Sequence, residues 1–189
     1  QWSTNIAEQG DVDAQFLLGV IYQNELQNEN EAFIWYKKAA ENDHAASQVT
    51  VANCYANGRG VVRDLQEAEV WYKKALENHS KLSVKYLEVI ADFYYYNVDD
   101  KDEEAFIAYK ESANKGSAYG KFSVGYCYET GTGVEKNLKE AFEWYKLAAE
   151  QEYIDAQYEV AQCYYFGKGV EKNRIEAFNW YSKVAQNGN

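Results

Sequence analysis

The sequence predicts an all-α chain of about five stacked helix pairs, and three observations carry that expectation. The pair Trp-Tyr returns at Trp35-Tyr36, Trp71-Tyr72, Trp144-Tyr145 and Trp180-Tyr181, and Ala108-Tyr109 holds the same place between the middle two. Successive spacings are therefore 36, 37, 36 and 36 residues. Within each period, apolar residues fall three, four, seven or eight apart, which is one face of a helix. The 189 residues also include no proline, where ordinary usage gives about nine. Helices punctuated by Gly and Asn fit that composition better than a loop-rich fold.

The first helix of each repeat carries a small residue, then apolar residues four, seven and eight later. The sets are Ala14/Leu18/Ile21/Tyr22, Ser47/Val51/Cys54/Tyr55, Gly120/Val124/Cys127/Tyr128 and Ala156/Val160/Cys163/Tyr164. The third repeat reads Tyr86/Ile90/Phe93/Tyr94, with Tyr86 breaking the small-residue rule. The second helix opens on Ala32, Ala68, Ala105, Ala141 or Ala177, each three residues before the Trp or its Ala108 substitute. A methyl there lets a neighbouring helix come close while the large Trp-Tyr pair fills the space beside it. The aromatic ladder is accordingly read as core.

Start signals precede four of the second helices. Asn28–Glu31, Asp64–Glu67, Asn137–Glu140 and Asn173–Glu176 place a cap three residues before a Glu, which reaches back or complements the helix dipole. Lys101 stands at that place in repeat three, where Asp100 or Asp102 is expected to substitute. Gly58/Gly60, Gly131/Gly133 and Gly167/Gly169 occupy the turns between helices. A dinucleotide site would need a preceding strand, a third Gly and a downstream acid, and a phosphate loop would need Gly-Lys-Ser/Thr. None accompanies these glycines, so they are read as turns.

The tail of a preceding repeat occupies residues 1–10, where Trp2 and Ala7-Glu8-Gln9 fall in frame. The repeats then run over about 11–43, 44–79, 80–116, 117–152 and 153–189. Helix pairs of this length cannot each bury a face alone and must stack on their neighbours. The start inside a helix and the absent initiator Met point to a processed or longer parent chain.

These residues resemble the Sel1-like repeat family, relatives of the tetratricopeptide repeats. "AQFLLGVIY" (14–22), "NGRGVVRD" (57–64), "TGTGVEKN" (130–137) and "EAFEWYKLAAEQ" (140–151) carry the resemblance. Repeats one and three depart from it: "YQNELQNEN" (22–30) and "YYYNVDDKDE" (94–103) are shorter and lack Gly-x-Gly. The resemblance implies a right-handed α/α superhelical solenoid that serves as a non-enzymatic scaffold or adaptor for proteins.

The net charge of −11 argues against nucleic acid and anionic membrane surfaces, which want Lys and Arg. No apolar run approaches the ~18–20 residues of a spanning helix. Cys54, Cys127 and Cys163 share one position on the first helix, one per repeat, so the intra-repeat disulfide of some secreted relatives is missing. Buried free thiols and a cytoplasmic location are expected. Asn78-His79-Ser80 is a glycosylation sequon, which keeps an ER-lumenal or secreted adaptor as a rival. His44 and His79 fall in turns without ligand-spaced partners, so no metal and no cofactor is expected. Ser112-Ala113-Asn114-Lys115 matches the Ser-x-x-Lys of penicillin-recognising enzymes, making a hydrolase-like or β-lactam-binding repeat protein the alternative. Its companion motifs are missing, and no catalytic base is expected within reach of Ser112 or any Cys.

Tetratricopeptide arrays turn the first helix of each repeat toward a concave groove, and the resemblance places the residues flanking the core stripe there. They are Phe16, Asn53, Glu88, Asp92, Tyr95, Tyr119, Phe122, Tyr126, Tyr158, Gln162 and Tyr165, with Val49 and Glu129 beside them. These differ between repeats while the core positions recur, as expected for a particular ligand. Rigid aromatics with acids among them suit an extended, net-basic peptide or partner surface.

Overall fold

The computed structural model describes residues 2–187, with side chains from Thr4 onward, so Trp2 lies outside the described side chains. Among the described residues there are eleven α-helices, one short 3-10 turn and no strand. They fall into two compact units, Gln1–Leu82 and Ser83–Asn189. The first holds α1 (Trp2–Glu8), α2 (Val12–Asn24), α3 (Glu29–Glu41), α4 (Ala45–Asn57), α5 (Leu65–Glu77) and the 3-10 turn His79–Lys81. The second holds α6 (Val84–Asn97), α7 (Asp102–Asn114), α8 (Ala118–Thr130), α9 (Leu138–Ala149), α10 (Ile154–Phe166) and α11 (Arg174–Asn187). The sequence expectation of an all-α fold holds.

In the first unit α2 packs on α3 and α4 on α5, with α1–α2 and α3–α4 joining successive pairs. In the second, α6/α7, α8/α9 and α10/α11 are the pairs, joined through α7–α8 and α9–α10. The repeated Ala positions make this possible: Ala32, Ala68, Ala105, Ala141 and Ala177 are all buried. Successive repeats meet edge-to-face, with Phe33 on Tyr55, Phe106 on Tyr128 and Phe142 on Tyr164 at centroid distances of 5.3, 5.5 and 5.3 Å. Such pairs add about 0.5–1.5 kcal/mol beyond their burial. Trp35 and Trp71 are buried, whereas Trp144 and Trp180 are half-buried.

Helix starts follow the sequence signals in part. The side chains of Asn28, Asp64, Asn137 and Asn173 accept from the backbone N–H groups of Glu31, Glu67, Glu140 and Glu176. The cap residue's own N–H donates elsewhere, to the carbonyls of Tyr22, Tyr55, Tyr128 and Tyr164 in turn. That satisfies the donor without a glutamate reaching back, so Glu at this place complements the dipole instead. At α7 the expected substitution fails: Lys101 is the cap, no side chain caps the helix, and Lys101 Nζ pairs with Glu104 Oε1 at 3.1 Å. Three acids in the first turn, Asp102, Glu103 and Glu104, supply the dipole complement there.

Both glycines of each Gly-x-Gly turn have positive φ. The first ends the helix in the left-handed conformation, its N–H donating to the carbonyl of Cys54, Cys127 or Cys163. The second touches the preceding repeat. A Cβ on Gly169 would lie 1.9 Å from the Leu138 carbonyl oxygen, and those on Gly60 and Gly133 about as close to Glu29 and Asp102. Each second glycine is thus a contact with the first turn of the preceding second helix, and phosphate binding is not its task.

Candidate functional site: the outer face of the first helices

The core tyrosines Tyr36, Tyr72, Tyr109 and Tyr145 of the second helices are buried, so their hydroxyls need acceptors, whereas Tyr181 is half-buried. In four repeats the first helix supplies one. Tyr36 donates to Gln23 Oε1, Tyr72 to Asn53 Oδ1 and Tyr109 to Asp92 Oδ1, each at 2.7 Å, and Tyr145 to Glu129 Oε2 at 2.8 Å. Asn53 and Asp92 stand two residues before the core Tyr of their helix, and Gln23 and Glu129 one after. That is one turn apart on the same face. The polar residues there are therefore partly structural.

Asp92 Oδ1 also accepts from Tyr119 of α8 at 2.7 Å, and Glu88 Oε1 accepts from Ser117 and, at 3.4 Å, from Ser112. Both acids expected to offer charge to a ligand are thus tied to α7 and α8 by hydroxyl donors. Burial, then the bond to Asp92, pushes the Tyr109 and Tyr119 hydroxyls well above the usual phenol range. Burial followed by the bond to Glu129 does the same for Tyr145. Burial alone would raise Glu129, but the hydrogen bonds from Lys168 and Tyr145 outweigh it and hold its carboxyl below the usual range. Glu159, half-buried beside it, is raised by burial and then by the charge of Glu129.

Tyr95 of α6 and Tyr119, Phe122 and Tyr126 of α8, all expected on the binding face, converge on one pocket of about 330 Å³. The Tyr95 and Tyr126 rings meet edge-on at 6.3 Å. A hydrogen bond between their hydroxyls, followed by burial, pushes Tyr95 up to about 12. Tyr96, Tyr109, Ser123 and Cys127 complete the lining and were not among the expected residues. Tyr96 follows Tyr95 on α6 as Phe166 follows Tyr165 on α10, but Asn24, Asn57 and Thr130 stand at that place in the other repeats, so the core periodicity does not single it out.

On α10, Tyr158 and Tyr165 are 43% and 44% exposed and Tyr126 of α8 is 40% exposed, while Gln162 is half-buried. Tyr158 packs against Tyr181 at 5.8 Å and Tyr165 against Phe166 at 4.9 Å. In the first unit, Phe16 is half-buried between Tyr36 and His44, at 5.7 and 4.9 Å. Asn53 takes the Tyr72 hydroxyl as above. Val49, also expected at the face, is fully buried, because its helix α4 packs on α3 as well as α5.

The chemistry candidates resolve structurally. Ser112 has an acid within reach, Glu88 at 3.4 Å, contrary to expectation. The serine is nevertheless 0% exposed, and a Cβ on Gly120 would strike its Oγ, so no substrate has room beside it. The cysteines are free; Cys127 and Cys163 are buried and Cys54 is half-buried. Burial raises Cys54 to about 11 and Cys127 and Cys163 to about 12, which leaves them poor nucleophiles. His44 is the N-cap of α4: its Nδ1 accepts from the Ser47 N–H at 3.3 Å, and its Nε2 lies 3.7 Å from Asp13. Among the described residues no helix is long and apolar enough to cross a membrane.

A face of this kind on stacked helix pairs defines the class as an α-helical repeat protein. The family model for the Sel1 repeat matches residues 12–44, 45–80, 118–153 and 154–189, and the chain belongs to that family. The Sel1 repeat protein from Oxalobacter formigenes is 31% identical, with a TM-score of 0.82 over 96% of this chain and 75% of its own. The protective antigen c5321 of uropathogenic Escherichia coli, which displays the same repeat fold, is 28% identical with a TM-score of 0.76. That match covers 98% of this chain and 42% of the antigen. Cysteine-rich protein B of Helicobacter pylori is 25% identical over 67% of this chain and 90% of its own, with a TM-score of 0.51. No curated protein sequence matches. Sel1 repeat proteins are in general protein–protein interaction scaffolds without enzymatic activity.

Proposed function

We propose that the chain is a non-enzymatic adaptor whose first-helix face holds an extended, net-basic peptide or partner surface. The observation that carries it is the row of half-exposed tyrosines Tyr126 on α8 and Tyr158 and Tyr165 on α10, accompanied by the acids Glu129 and Glu159 on those helices and by Glu88 and Asp92 on the neighbouring first helix α6. Tyrosine offers a rigid ring with few torsions to freeze, and charge of one sign around it favours a partner of the other. Tyr95, Tyr119 and Phe122 extend the row along α6 and α8, and Gln162 continues it on α10. Phe16 and Asn53 mark the corresponding face in the first unit. Free thiols in the first helices agree with a reducing, cytoplasmic setting.

The test is fluorescence anisotropy with labelled extended peptides of matched length, one rich in Lys, one with every Lys replaced by Glu. Binding of the basic peptide alone is expected, weakened at least tenfold by Tyr126→Ala with Tyr158→Ala at unchanged helicity. Equal binding of both peptides, or indifference to the double substitution, would refute this face.

A further inference from the structure

The three Gly-x-Gly turns share one backbone but differ in the residue between the glycines: Arg59, Thr132 and Lys168. The backbone N–H of each donates to the carbonyl of the cysteine on its own first helix, Cys54, Cys127 or Cys163, at 3.0, 3.1 and 3.0 Å. The middle residue is therefore presented the same way three times, and only its side chain changes.

Lys168 shows where that side chain goes. Its Nζ donates to Glu129 Oε1 at 2.8 Å, on the first helix of the preceding repeat, and the charge also feels Glu159 and Cys163. Tyr145 closes the group from the other side through Glu129 Oε2. In the first unit Arg59 likewise lies within electrostatic range of Cys54. Moved back one repeat, Glu129 becomes Tyr95, Glu159 becomes Ser123, Cys163 becomes Cys127 and Tyr145 becomes Tyr109. All four of these residues line the aromatic pocket of about 330 Å³. Lys168 itself becomes Thr132, whose hydroxyl is held by Thr130 at 2.7 Å and is too short to fill the space.

We infer that this pocket is a side-chain socket that the chain fills with its own cation in the next repeat and leaves open here for a lysine or arginine of the partner. The inference rests on the binding face proposed above and names its anchor. The lining favours a long stem with a cationic tip. Tyr95, Tyr119, Tyr126 and Phe122 line it, and aromatic rings both cover an aliphatic stem and attract a cationic tip. Asp92, with no Lys or Arg paired to it among the described residues, stands behind Tyr109 and Tyr119. An acidic side chain would meet the negative potential of Asp92 and Glu88, and an uncharged one would forgo the cation–π attraction.

The experiment follows the tyrosine ring signals by NMR during titration with N-acetyl-lysine methylamide, N-acetyl-arginine methylamide and N-acetyl-norleucine methylamide. Saturable shifts at Tyr95 and Tyr126 are expected from the first two probes, with norleucine at least tenfold weaker. Thr132→Lys and Thr132→Met are each expected to abolish the response at unchanged helicity, the first by supplying the chain's own cation and the second by filling the space without charge. Lys168→Ala should open a second lysine site, read at Tyr145, and needs no change near the pocket. Equal response to norleucine, binding untouched by both Thr132 substitutions, or no second site in Lys168→Ala would overturn the socket. If the socket fails while the basic peptide still depends on Tyr126 and Tyr158, the face stands without this anchor. If peptide binding fails too, both fall.

Discussion

The Tyr109 hydroxyl and the Tyr119 hydroxyl donate to the same oxygen, Asp92 Oδ1, each at 2.7 Å. One acid on α6 thus fastens α7 of its own repeat and α8 of the next. An acceptor shared by a buried donor, Tyr109, and a half-buried one, Tyr119, is costly to remove, because water replaces it for the second hydroxyl only in part and for the first hardly at all. The loss is about 1–3 kcal/mol for a buried orphaned group and less for a half-buried one. Asp92→Ala should therefore destabilise the chain by about 1–4 kcal/mol, and Asp92→Asn, which keeps an acceptor oxygen, by clearly less. Urea unfolding of the two variants decides it. Equal midpoints would mean that the shared bond contributes nothing beyond packing.

The same bonds make stability depend on alkaline pH. Burial and then hydrogen bonding raise Tyr109, Tyr119 and Tyr145 above their unfolded value of 10.0, and the bond that Tyr95 donates to Tyr126 raises Tyr95 to about 12. Their contribution is fully present below pH 10. Above it the unfolded chain releases protons that the native chain retains, so stability falls as pH rises toward the native values. The urea midpoint is expected to start falling at about pH 9, where the unfolded chain ionises the three cysteines that burial raises to about 11 and 12, and to fall more steeply beyond about pH 10 as the tyrosines join. Tyr145→Phe should shift the whole curve down and make the drop shallower. A midpoint indifferent to pH up to about 11 contradicts the assignment.

The fold was legible because repetition reports packing. Ala32 and its four counterparts, the Trp-Tyr pairs and the cap residues all recur since every repeat solves the same geometric problem. The candidate site was only half legible, for the opposite reason. A variable position is not thereby a ligand position: Asn53 and Asp92 vary because either can take a buried tyrosine hydroxyl, and Gln23 or Glu129 can do so from one turn away. Val49 was misplaced because α4 is covered on two sides, which helical periodicity in one strand of sequence does not reveal. Tyr109 reads as core and is also pocket wall, a double role that no pattern of spacing encodes. The signal that could have located the socket was the odd residue out in the turns, Thr132 among Arg59 and Lys168.

The cysteines should behave as core atoms and not as reagents. Burial raises Cys54 to about 11 and the other two to about 12, so at about pH 8 the thiolate fraction is far below that of a free thiol of ordinary pKa. A chromogenic disulfide reagent is expected to leave all three unmodified in the native chain over the time that a free cysteine reacts fully. In denaturing urea it should count three thiols, the three free cysteines of the structure. Cys54, the least covered and nearest to Arg59, should react first if urea is raised gradually. Fast native labelling of Cys127 or Cys163 would sink this reading and reopen thiol chemistry.

The two glycines of one turn should respond unequally to alanine. Gly167 has φ +76° and its nearest neighbour to a new Cβ is a Lys172 side-chain atom at 3.4 Å, so Gly167→Ala meets only the left-handed backbone penalty, about 1–2 kcal/mol. Gly169 has φ +70°, and there a Cβ would stand 1.9 Å from the Leu138 carbonyl oxygen. The first turn of α9 must then move, which adds overpacking to strain, each of roughly 1–3 kcal/mol, for a total of about 2–6. Chemical denaturation of Gly167→Ala, Gly169→Ala and the matched pair Gly131→Ala and Gly133→Ala measures both steps. The second glycine should be the costlier one in each turn, because it is where one repeat touches the last. Equal losses at both positions would mean that the turn is needed only for its backbone conformation, and the contact between repeats would have to reside in the helices alone.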